Sequence, residues 1–146
     1  YYRAGLALPA TTKKGSEMNS PKIPISWGEL LDKITILQIK LENITSKNAL
    51  KNIEQELKKL QSILTQYCPK TMETSQLESE LREINQQLWD IEDRIRDKER
   101  NHTFDDEFIQ LARSVYITND ERSRIKRKIN NMFGSELVEE KSYAEY

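Results

Sequence analysis

Between Leu77 and Ile95, apolar residues fall at Leu77, Leu81, Ile84, Leu88, Ile91 and Ile95, in alternating steps of four and three. Such a rhythm draws one stripe down an α-helix and is foreign to a strand, whose faces alternate every second residue. The same pattern runs through Leu50, Ile53, Leu57, Leu60, Leu64 and Tyr67, and upstream through Leu30, Ile34, Leu37, Leu41 and Ile44. A fourth stripe comprises Phe108, Leu111, Ala112, Val115, Ile125, Ile129 and Phe133. Only four Gly and four Pro interrupt 146 residues, so long helices with short connections are expected. The fold class is all-α, in antiparallel helical hairpins. They form either a four-helix bundle or a smaller core from which an elongated, coiled-coil-like hairpin of the second and third helices projects.

End signals divide the chain. Ser26 with Glu29 predicts a capping box, Ser75 with Glu78 another, and Asp105 is the expected cap of the last helix. Gly134 supplies a left-handed C-terminal residue. The helices are expected at about 26–44, 46–67, 75–100 and 105–133, with a short tail that adds a helical turn or folds back on the basic run at 122–128. Leu31, Ile36 and Ile39 lie off the first helix's main stripe. A helix apolar on two sides is buried on two sides, so it is the central helix or the one that meets a second subunit. Residues 18–146 read as one domain. Residues 1–17 lack periodicity and precede Met18, and are expected to be a flexible extension, added or translated from upstream.

Several function classes lose support. A net charge of −1 gives no general attraction to nucleic acid. No apolar run approaches the ~18 residues of a membrane span. The lone Cys68 allows no internal disulfide and is compatible with a cytoplasmic location. His102 has no partner at ligand spacing, so no metal is expected. No cofactor motif, Gly-rich phosphate loop, G-x-S-x-G or nucleophile with an evident base is present. Enzymatic activity is left open.

The stripe of the fourth helix contains a conflict. At about 100° per residue, Arg122 projects near the centre of the apolar face, with Asn119 and Lys126 beside it. An inward arginine needs partners, because a solitary buried charge costs several kcal/mol. Candidates are Glu29 and Asp32 on the first helix and Asp90, Glu92 and Asp93 on the third, with Lys33 adding positive charge. One reading is a structural seam that fixes helix register. A second is a pocket in which Arg122, Lys126 and Arg113 bind an anion. A third is acid–base chemistry by a carboxylate in that pocket.

The stretches "ISWGELLDKITILQIKLENI", "LWDIEDRIRDKE", "FIQLARSVYITNDERSRIKRKIN" and "LVEEKSY" together resemble a family of short, uncharacterised bacterial and phage proteins, a domain of unknown function. The resemblance spans about residues 22–146. Its motif positions correspond to Gly28, Glu29, Leu30, Asp32, Lys33, Asp90, Arg113, Tyr116, Asn119, Asp120, Arg122, Lys126, Arg127, Glu139, Glu140, Lys141 and Tyr143. Some members lie near polysaccharide or glycosyltransferase genes, which implies a sugar-phosphate or sugar-nucleotide ligand, or a glycosyltransferase partner. The expected function is a helical module that forms homodimers or other homo-oligomers through its first helix or through the Trp89 face of the third. The alternative is a small enzyme or anion-binding protein with its pocket around Arg122.

Overall fold

The computed structural model describes residues 20–68 and 70–146. The extension expected at 1–17 lies outside them, as does Pro69. Four helices follow in order: α1 (Trp27–Asn43), α2 (Lys47–Tyr67), α3 (Met72–Arg100) and α4 (Asp106–Phe133). The described residues contain no strand. None of the helices is long and apolar enough to cross a membrane.

α1 is the centre, and its two apolar faces serve two clusters. Leu30, Ile34 and Leu37 pack with Ile53 and Leu57 of α2. Leu31 packs with Leu81 of α3 and with Ile125 and Ile129 of α4. α1 touches each other helix, and Ile39 is fully covered within the chain. Both apolar faces of α1 are thus met by helices of the same chain, with Ile36 left half-buried. α2 rests on α1 and makes no close backbone approach to α3 or α4 among the described residues. The projecting hairpin is accordingly α3 with α4, not the second and third helices. Beyond Asn85, α3 buries no further residue, and the first two-thirds of α4 bury only Leu111 and Thr118. This arm is clamped near its tip by ion pairs from Arg94 and Lys98 to Glu107, at 2.7 and 2.6 Å.

The helix ends follow side-chain chemistry. Asp105 accepts from the amide of Phe108, and Gly134 adopts φ 61°, ψ 44°, the conformation that costs a residue without Cβ least. α3 begins three residues before its expected start. Thr71 and Thr74 cap each other's backbone amides in a reciprocal box, so the helix opens there and not at Ser75. At α1 only half of the expected box forms. Ser26 accepts from the amide of Glu29, but the Glu29 carboxylate turns away to Lys126. The amides of Trp27 and Gly28 donate instead to Ser135 and Asn130, at 3.1 and 2.7 Å. The start of α1 is thus tied to the end of α4. The tail after Gly134 forms no helical turn; it folds back along α4.

Candidate functional site

Where α1 starts, it crosses α4 so closely that Gly28 faces the Lys126 and Asn130 turn of α4. That crossing turns Lys126 inward. Its side chain is 8% exposed, and its ammonium lies 2.7 Å from Glu29, 2.8 Å from Glu139 and 3.9 Å from Asp32. Asp32, itself 4% exposed, accepts from the Asn85 amide at 2.8 Å. Asn85 also donates to Thr35 at 3.0 Å, and its carbonyl oxygen accepts from Arg122 at 3.4 Å. The polar groups form a chain across three helices: Lys126 and Arg122 on α4, bridged by Asp32 on α1 and Asn85 on α3.

Burial alone would push the Lys126 ammonium down. The hydrogen bonds to Glu139 and Glu29, with the charge of Asp32, outweigh it and hold Lys126 above the usual lysine value. The Lys126 hydrogen bond in turn holds Glu139 below the usual glutamate value, against a smaller opposing effect of burial. A depressed carboxylate contributes stability that is complete above its unfolded pKa and lost as pH falls through its folded one. Acidification through and below the ordinary glutamate range is therefore expected to release the tail from α4. Amide chemical shifts of residues 136–146 should move together in that window. Glu139→Gln should show the released shifts already at neutral pH.

Beside this seam lies an open cleft of about 790 Å³. Its floor is α4, from Val115 to Lys126, together with Glu29 and Asp32 of α1. Its far wall is the tail, through Glu139, Lys141, Tyr143, Ala144 and Tyr146. The tail is fixed by Glu139 on Lys126, by Glu140 on Arg127 at 3.0 Å, and by the Tyr146 hydroxyl donating to Asp120 at 2.9 Å. The Tyr146 ring meets Tyr116 edge to face at 5.0 Å. The Asp120 hydrogen bond also keeps the Tyr146 phenol above its usual value.

Of the residues expected at the site, Glu29, Asp32, Asn119, Asp120, Arg122 and Lys126 come together here. Three do not. Lys33 reaches across to Glu56 of α2 at 3.5 Å. Asp90 is exposed and accepts from Gln86 on its own helix. Arg113 is exposed on the outer side of α4, its Nε donating to the Tyr116 hydroxyl at 3.4 Å. The buried cation is Lys126, one turn beyond Arg122, because α1 crosses α4 at residues 126–130 and leaves Arg122 half-buried against the cleft. The basic run at 122–128 is consumed much as a solvated face would be, with Arg124 on Glu121 and Arg127 on Glu140. Asn85, Thr35 and Asn130 were not foreseen. Nothing in a single stripe separates a buried amide from an exposed one.

The chain matches the family described as "Family of unknown function (DUF6165)" over residues 21–146. No curated protein and no solved structure matches it.

Proposed function

Because the chain belongs to the DUF6165 family of unknown function, which hands it no activity, we propose from the cleft's chemistry that it binds a sugar carrying a single anionic group. The observation that supports this most is the state of Arg122. Among the described residues its guanidinium has no carboxylate within 4.0 Å; its one partner is the neutral Asn85 amide. Lys126, by contrast, is already spent on Glu29 and Glu139. A ligand phosphate or carboxylate is the partner a half-buried guanidinium lacks, and its planar fork matches either in bidentate fashion.

The remaining lining says what else the ligand carries. Glu29, Asp32, Asp120 and Glu139 outnumber Arg122, Lys126 and Lys141. A cleft with that balance repels a polyanion such as a diphosphate or a nucleic acid. Ionised carboxylates are acceptors only, so they suit a ligand rich in hydroxyl donors. Tyr116, Tyr143 and Tyr146 offer ring surface with a polar edge. A hexose monophosphate or a hexuronate meets all three conditions, and a sugar nucleotide meets them less well. A glycosyltransferase partner, implied by the resemblance, fits a module of this kind.

Calorimetric titration with a hexose 1-phosphate, a hexuronate, inorganic phosphate and a nucleoside diphosphate hexose tests the reading. The first two are expected to bind most tightly. Arg122→Met should weaken them by about 10- to 100-fold, the loss of a charge-assisted contact worth about 1.5–3 kcal/mol. It should lower stability by about 1–3 kcal/mol, since it leaves the carbonyl of the buried Asn85 short of a partner. Equal binding by wild type and Arg122→Met, or no binding of either sugar acid, would sink the proposal.

A further inference from the structure

Among the described residues every arginine except Arg122 and Arg113 sits in an ion pair. Arg122 faces the cleft; Arg113 faces away from the protein. At about 100° per residue, Ile109, Arg113, Tyr116 and Asp120 fall within a narrow outer arc of α4, with Ile117 alongside. Ile109, Tyr116 and Ile117 are 51%, 41% and 45% exposed, a run of large apolar side chains gathered on one side of α4. Tyr116 meets the Tyr146 ring on one edge, while Ile109 and Ile117 keep about half of their surface open. Asp120 accepts from Tyr146 and, like Arg113, takes part in no ion pair among the described residues.

We propose that this outer face of α4 docks against the same face of a second copy, antiparallel, with the two-fold axis passing between Tyr116 and Ile117. The argument is charge complementarity under that symmetry. Arg113 and Asp120 stand equally far, one on each side, from the midpoint between Tyr116 and Ile117. A two-fold axis there sets Arg113 of each copy opposite Asp120 of the other, and Tyr116 opposite Ile117. One patch supplies both halves of the contact, which is what an isologous interface requires. A cation and an anion at equal distances from an apolar centre fix the antiparallel register, since the parallel arrangement places like charges together. The surface is also joined to the cleft: Tyr116 and Asp120 line both. Arg113 of the second copy therefore arrives at the cleft rim and adds a cation to its acid-rich border.

Sedimentation equilibrium of the full chain tests this. Wild type is expected to dimerise, more weakly at high salt. Arg113→Asp and Asp120→Arg alone should each weaken the dimer at least about 10-fold, the change that about 1.4 kcal/mol of lost pairing produces. The double variant R113D/D120R should restore it. Should either charge swap disturb helicity, Ile117→Asp, which lines neither core nor cleft, carries the same test. A wild-type monomer up to about 1 mM, a dimer indifferent to the single swaps, or a double variant that fails to recover would each overturn the proposal. Because Arg122→Met leaves this face untouched, a failure of ligand binding and a failure of dimerisation are read separately.

Discussion

Lys126→Met is expected to destabilise the protein by about 3–5 kcal/mol, the usual cost of removing one partner from a buried ion pair. The loss is large because of what stays behind. Asp32 is nearly inaccessible to water and Glu29 is fixed on the same helix. Without the ammonium, both face α4 with no positive charge in contact, and Glu139 loses its seat as well. Asn85 still donates to Asp32, which neutralises nothing. Urea unfolding would measure the drop as a lower midpoint with an unchanged slope. Combining Lys126→Met with Glu29→Gln and Asp32→Asn should recover most of it, because the only carboxylate then left in the seam is Glu139, which is 40% exposed and beside Lys141. A loss below about 1 kcal/mol for the single change would show that the network is far more hydrated than its burial implies.

The second large effect is expected at Gly28. A Cβ built there would stand 2.7 Å from the Lys126 carbonyl oxygen and 2.9 Å from Asn130 Oδ1. The first of these is backbone and cannot rotate away. Gly28→Ala must therefore push α1 off α4, stretching the Gly28–Asn130 hydrogen bond and the Glu29–Lys126 pair together. Overpacking of this kind costs about 1–3 kcal/mol, and the upper end is expected because the contact is with main chain. Thermal unfolding should fall by roughly 6–9 °C, at about 3 °C per kcal/mol for a chain of this size. Gly134 is the control: its positive φ favours glycine, but a Cβ there meets nothing within 4 Å.

How far the sequence foretold this arrangement varies by feature. The four helices were legible because each stripe repeats over many turns, and Asp105 and Gly134 act locally and were read from type and position. The early start of α3 was hidden, since a Thr–Thr box at Thr71 and Thr74 carries no acid to announce it. The polar interior was foreseen on the right helix but centred on the wrong cation. A helical wheel gives directions about one axis, whereas burial depends on where the next helix crosses. Here a glycine at the second position of α1 draws residues 126–130 under it. Arg113 and Asp90 lie outside for the same reason: they belong to the sparsely buried arm. The tail's return along α4 follows from charge, with Glu139 and Glu140 opposite Lys126 and Arg127. Its tyrosines forming a wall does not follow, because that depends on the path of a segment with no periodicity.

The arm of α3 and α4 has one more implication. Its stripe repeats every seven residues and its far half buries only Leu111 and Thr118, so a heptad inserted into each helix at the same level leaves the stripe in phase. The crossing of α1 over α4 allows no such freedom, as a single methyl group already collides there. The molecule thus joins a ruler that can be lengthened to a joint that cannot, and evolutionary change in size should collect toward the ruler's tip, leaving the joint at constant dimensions.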